Sequence, residues 1–155
     1  MELLDPDSEM TLYNPLWPIR TVSFADPPSY SYPSDGHDCT INRILTAEGS
    51  RILGARVSSS VLSRNCVIQS GTFINESIIG QGVVVGHNCR INRAIIDSHN
   101  VIPDNTIIGE DPEEDAQNYF VDPSSGIVTV GMPRIPYQKD IDEKSLDSFS
   151  WSSFS

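Results

Sequence analysis

The chain has 155 residues, 38% of them hydrophobic, which is enough for one packed domain with tails. A formal net charge of −11 argues against nucleic acid as a main partner, and no apolar run approaches the roughly 20 residues that cross a bilayer, so no membrane partner is expected. Three cysteines (Cys39, Cys66 and Cys89) without C-x-x-C spacing fit a reduced, cytoplasmic protein better than a disulfide scaffold or a zinc ribbon, and Met1–Asp5 lacks the pattern of a signal peptide.

Residues 1–44 hold six prolines (Pro6, Pro15, Pro18, Pro27, Pro28 and Pro33) and are expected to form an extended lead-in packed on the repeats beyond it. From Leu45 to Glu110 the chain is periodic. Steps of six, six and five residues run through Leu45, Arg51 and Val57, then Leu62, Ile68 and Ile74, then Ile79, Val85 and Ile91, then Ile96, Ile102 and Ile108. Eleven of these twelve positions are Ile, Leu or Val; Arg51 is the exception. A second row, mostly small or β-branched and expected to fit the interior beside the starts, stands four residues after each start and includes Ala55, Val61, Cys66, Thr72, Ile78, Val83, Cys89 and Ile95. Turn-compatible residues tend to come after the starts, among them Ser63, Asn75, Gly80, Gly86, Asn92 and Pro103.

A period near six means short strands joined by tight corners, three strands to a coil, each coil about 4.8 Å above the last. The aliphatic starts stack inward as columns, and stability comes from neighbouring coils because no single coil buries its own face. The expected fold is an all-β parallel β-helix of about four 17-residue coils over residues 45–110. Handedness cannot be read from the period. Beyond it, Asp111-Pro112-Glu113-Glu114-Asp115 has the capping oxygen, first-turn proline and N-terminal acids of a helix start, expected to run to about Phe120. Gly126–Val130 reads as a strand closing a 111–137 segment, and residues 138–155, polar and serine-rich, are expected to be a disordered tail.

Several segments resemble the carboxy-terminal domain of bacterial glucose-1-phosphate adenylyltransferase, or ADP-glucose pyrophosphorylase. They are Trp17-Pro18-Ile19-Arg20-Thr21 with Pro27-Pro28, then Ser60-Val61-Leu62-Ser63, then Arg90-Ile91-Asn92-Arg93-Ala94-Ile95-Ile96-Asp97. Ile102-Pro103, Ile108-Gly109-Glu110-Asp111, Glu114-Asp115 and Gly126-Ile127-Val128 come next in family order. The likeness covers roughly residues 10–130. It implies a left-handed β-helix that contributes to tetramer assembly and to a cleft for phosphorylated effectors. In the family, a separate amino-terminal nucleotidyltransferase half joins ATP and glucose-1-phosphate into ADP-glucose and pyrophosphate for glycogen or starch synthesis. The glycine-rich, arginine-bearing loop of that half does not occur in these 155 residues, so the chain alone is expected to be inactive, with no catalytic residue or cofactor of its own and a catalytic domain or chain as partner. Two departures bear on regulation. Ser98 stands where an arginine is common, and Pro133 and Pro136 interrupt what is usually a basic helix. Both remove expected effector contacts.

The middle of the chain is electrically neutral, five acids against five arginines, with locally basic spots. Arg56, Arg64, Arg90 and Arg93, with Arg134 as a partial substitute for the lost helix, are the candidate anion-binding residues, because guanidinium forks match phosphate oxygens. The competing reading is solvated rungs or interdomain salt bridges. Trp17, Arg20 and Arg51 are candidate interdomain contacts; alternatively Trp17 and Arg20 cap this same β-helix and Arg51 marks a frayed first coil. Gly80-Gln81-Gly82 lacks the strand–loop–helix context of a phosphate loop and reads as corner glycines. His37, His87 and His99 are not stacked at the 17-residue period, which disfavours a three-histidine zinc site. Two other functions remain open: a stand-alone hexapeptide acyltransferase using a histidine base, and a ligand-free structural remnant.

Overall fold

The computed structural model describes residues 25–131; Trp17, Arg20, Arg134 and the 138–155 tail lie outside the described residues. The chain winds through about five turns of a parallel β-solenoid. The first turn is β1 (Tyr30–Tyr32), β2 (Thr40–Asn42) and β3 (Leu45–Thr46), and the second is β4 (Arg51–Leu53), β5 (Arg56–Ser58) and β6 (Val61–Leu62). The third is β7 (Val67–Ile68), β8 (Phe73–Asn75) and β9 (Ile78–Ile79), and the fourth β10 (Val84–Val85), β11 (Arg90–Asn92) and β12 (Ala94–Ile96). A fifth begins with β13 (Val101–Ile102) and β14 (Ile107–Ile108) and then leaves the spiral through helix α1 (Pro112–Asn118) and strand β15 (Phe120–Val121). It returns as β16 (Val128–Val130). Stacking the turns gives three sheets: β1-β4-β7-β10-β13, β2-β5-β8-β11-β14, and β3-β6-β9-β12-β16, with β15 antiparallel on β16 at the end of the third.

The strands stop after two or three residues because each corner holds backbone in the left-handed region. One corner column reads Ser59, Glu76 and Arg93, and another Asn65, Gly82 and His99. Within a strand the side chains alternate, so an exposed residue is succeeded by a buried one. The buried ones stack as Ile52-Ile68-Val85-Ile102, Val57-Ile74-Ile91-Ile108 and Leu62-Ile79-Ile96-Val130, one column per sheet. Each such side chain contributes roughly 1.5–3 kcal/mol of apolar burial.

The ladder differs from the periodic expectation in three places. Strand pairing starts at Tyr30, two strands before Leu45, with Thr40 against Arg56 and Tyr30 against Arg51. The sequence hides this turn because its inward positions, Ser31, Ile41 and Thr46, are exposed at the open end of the stack. Second, three early pairings, β2 with β5, β3 with β6 and β4 with β7, are offset by 16 residues rather than 17: Ile52 lies against Ile68 and Thr46 against Leu62. Ile52 therefore fills the inward column, and Arg51 and Leu45 belong to outward rows. Third, on the five-residue side the small inward residues are Ser60, Ser77 and Ala94, while Val61, Ile78 and Ile95 point outward.

Serine is tolerated inside because its hydroxyl has two fixed partners. Ser60 Oγ donates to the Ser58 carbonyl (2.6 Å) and accepts the Ser77 amide (3.1 Å), and Ser77 Oγ repeats this with the Asn75 carbonyl (2.7 Å) and the Ala94 amide (3.1 Å). Among the described residues no buried side-chain nitrogen or oxygen lacks a partner, as close packing requires. Helix α1 starts where expected: Asp111 caps it by accepting the Glu113 and Glu114 amides, and buried Asp115 accepts the Gly109 amide at 2.8 Å.

Candidate functional site

The 17-residue period places Arg56, Phe73 and Arg90 in direct register on β5, β8 and β11, all facing outward from the second sheet. They form one wall of an open cleft of about 360 Å³. The opposite wall comes from the segment between β1 and β2 and presents His37 and Asp38. That segment folds back on itself through paired backbone bonds between Ser34 and His37 (3.1 and 2.9 Å), with Asp35 and Gly36 in left-handed conformation. It lies directly over Gly54, where a Cβ would come within 2.5 Å of the Ser34 carbonyl oxygen. Glycine at 54 is thus what lets this wall approach.

A second tie holds the same wall. Ser70 Oγ donates to Asp35 Oδ2 (2.7 Å) and lies 2.9 Å from His87 Nδ1. The hydrogen bond from Ser70, helped by Ser34 and by the nearby His87 and His37, lowers the Asp35 carboxyl below its ordinary value. A serine, a histidine and an aspartate meet here in the wrong order for nucleophilic catalysis. Ser70 donates to the Asp35 carboxylate, which leaves no imidazole–carboxylate pair to activate it, and Ser70 is only 3% exposed. The trio fastens the first turn to the corners above it.

The candidate anion-binding arginines separate. Arg56 and Arg90 share the cleft. Arg90 Nε also contacts Glu110 Oε1 at 2.8 Å, an exposed pair of small energetic weight. The Arg56 guanidinium has no hydrogen-bond or ion-pair partner among the described residues. Arg64 sits at another corner, paired with Asp26, whose carboxyl this guanidinium lowers. Arg93 Nη2 donates to the Ser125 carbonyl (2.6 Å) and so anchors the turn before β16. Arg51 stands exposed on the first sheet between Tyr30 and Val67. Sequence reasoning missed Phe73 and Asp38, and weighed His37 only as a zinc ligand. Phe73 was legible as the residue just before inward Ile74, halfway between Arg56 and Arg90; the folded-back segment carrying His37 left no periodic signal.

Among the described residues no three metal-ligating side chains lie together. Cys66 and Cys89 are fully buried, and burial raises both thiols. No helix among the described residues is long and apolar enough to cross a membrane.

Residues 27–130 match the family model described as GlmU-like, C-terminal hexapeptide. The chain is 38% identical over 130 residues to a glucose-1-phosphate adenylyltransferase of Photobacterium profundum, covering 84% of this chain and 32% of the relative. A protein of the same name from Actinobacillus succinogenes is 36% identical over 147 residues, covering 95% of this chain and 34% of the relative. One from Thiobacillus denitrificans is 40% identical over 131 residues, 84% and 30%. The chain spans about a third of the length of the curated relatives it matches, their C-terminal part.

Proposed function

We propose a function from one premise: the chain belongs to the GlmU-like C-terminal hexapeptide family, and the relatives it matches are glucose-1-phosphate adenylyltransferases. It serves as the β-helix part of an ADP-glucose pyrophosphorylase, concerned with assembly and regulation, and works with a nucleotidyltransferase domain or chain that performs the adenylyl transfer from ATP to glucose-1-phosphate. The observation that carries this is the coverage. Similarity runs through 84–95% of this chain yet through only 30–34% of each relative, so the resemblance is to one architectural part of those proteins.

Two features of the surface support the two roles. The outward row of the third sheet is aliphatic at consecutive turns, Leu45, Val61, Ile78 and Ile95, with Ile78 43% and Ile95 38% exposed. A contiguous apolar row on a rigid sheet suits contact with another domain or subunit. The Arg56–Arg90 cleft supplies convergent guanidinium groups for a phosphorylated effector, despite Ser98 and the prolines at 133 and 136.

The test is reconstitution. The amino-terminal two thirds of the Photobacterium relative, produced without its own β-helix part, is mixed with this chain, and size exclusion is read together with pyrophosphate release from ATP and glucose-1-phosphate. A stable complex with activity above either component is expected, and Ile78→Asp with Ile95→Asp should weaken the complex. Absence of any complex, with both parts folded, overturns the assembly role.

A further inference from the structure

We propose that the cleft on the second sheet binds a small molecule that joins an anionic group to a flat apolar body. The anion would lie on Arg56 and Arg90 and the flat face on the Phe73 ring. The proposal rests on the reading of Arg56 and Arg90 as an anion site and adds what else the ligand must carry.

Phe73 is the reason to go further. It is 40% exposed, held between two arginines by the strand register, and lines the cleft rather than the core. The fold leaves two fifths of this side chain in water, and that part contributes no apolar burial. A flat ligand laid on the ring removes both apolar surfaces from water, and a stacked aromatic pair adds attraction beyond the area buried. The adjacent strands set the two arginines about 4.8 Å to either side of Phe73, so a body stacked on the ring has a guanidinium beside it on both flanks. Binding pockets commonly combine an apolar floor with a few placed polar groups, which is the arrangement here.

The charges within the cleft rank the two arginines. Arg90 already contacts Glu110, whereas Arg56 has no ionic partner among the described residues. Arg56 is therefore the principal anchor and Arg90 a shared one. Asp38 on the opposite wall repels a second anionic group on that side and can accept a hydroxyl hydrogen bond. One anionic end and a flat, hydroxyl-bearing body fit this cleft better than a molecule charged at both ends.

Ligand-observed NMR titrations of the full 155-residue chain with phenyl phosphate, inorganic phosphate and phenol test this directly. Phenyl phosphate is expected to bind at least ten-fold tighter than either half-probe. Arg56→Gln should weaken phenyl phosphate by ten-fold or more. Phe73→Leu should weaken it several-fold while leaving inorganic phosphate unchanged. Glu110→Gln, which frees Arg90, should tighten it. All three positions face outward, and an unchanged melting temperature will show that each variant folds. Inorganic phosphate bound at Arg56 with no gain from the phenyl group overturns the flat-body requirement while leaving an anion site. Failure of both phosphates to bind overturns the anion reading as well. Phenol binding as tightly as phenyl phosphate reduces the cleft to an apolar patch and overturns the proposal.

Discussion

Arg51 and Ile52 offer the sharpest test of the register, because the six-residue rhythm and the folded chain disagree about which of them is inside. Ile52 is 3% exposed and packs in the first sheet's column beneath Ile68, while Arg51 points to solvent. Ile52→Ala removes three carbons from that column, about 2.4 kcal/mol at roughly 0.8 kcal/mol per buried methylene. The cavity left behind adds to this, and measured Ile→Ala changes in cores span about 2–5 kcal/mol. Ile52 is the first fully buried member of its column, so the neighbouring end can relax, and a loss of about 3 kcal/mol is expected. Arg51→Ala removes an exposed side chain and should change stability by no more than about 0.5 kcal/mol. Urea unfolding monitored by far-ultraviolet circular dichroism measures both. With a slope of about 1–3 kcal/mol per molar, the Ile52 variant should unfold at least about 1 M earlier and the Arg51 variant at nearly the parental midpoint. A loss confined to the first turns would register as faster exchange of the Arg51 amide, which bonds to the Cys66 carbonyl at 2.8 Å. If Arg51→Ala costs as much as Ile52→Ala, the 16-residue offset is wrong and the uninterrupted 17-residue rhythm is right.

Gly54→Ala should displace the wall carrying His37, because its Cβ would meet the Ser34 carbonyl and φ is +55°; a loss of about 1 kcal/mol or more is expected, with amide shifts at His37 and Gly71 as the direct readout. Asp122 accepts the Ser125 hydroxyl, the Ser124 hydroxyl and the Ser125 amide, which bring its carboxyl down to about 2. Because the folded value lies below the ordinary aspartate value of 3.8, this turn keeps its full stabilisation above about pH 4 and loses it as the pH falls through 2. A carboxyl titration by NMR with a midpoint at the ordinary value of 3.8 would contradict that. Cys39, half-buried, should react with a maleimide well before Cys66 and Cys89, whose thiols are enclosed and raised by burial; equal rates in the native protein would show that the columns open readily.

From Leu62 onward the columns could be read from sequence because every turn repeats the same seventeen positions, and Ile68, Ile74, Ile79, Val85, Ile91, Ile96, Ile102 and Ile108 are all inside. The reading failed where the chain breaks its own rule. One residue fewer between Ile52 and Ile68 shifts the earlier positions by one, and in a strand a shift by one turns every side chain over. The five-residue side misled for a related reason. On that side a single residue stands between the small inward residue and the inward aliphatic, Ser60 and Leu62, Ser77 and Ile79, Ala94 and Ile96, so the strand alternation turns Val61, Ile78 and Ile95 outward. The cleft was half legible. Arg56 and Arg90 share a rung position that spacing reveals, whereas His37 arrives by a fold-back whose only trace is a run of turn residues, Ser34-Asp35-Gly36.

The antiparallel strand β15 gives the solenoid a direction in evolutionary terms. In the middle turns every strand has a parallel neighbour one turn on, so a duplicated stretch of seventeen residues could be spliced between any two of them and find its hydrogen bonds waiting. At the β16 end that is no longer so, since β15 runs the opposite way and occupies the edge that another turn of the third sheet would need. Variation in turn number among homologues should therefore be found before β13, and a chain lengthened after β14 should have lost the β15–β16 pair.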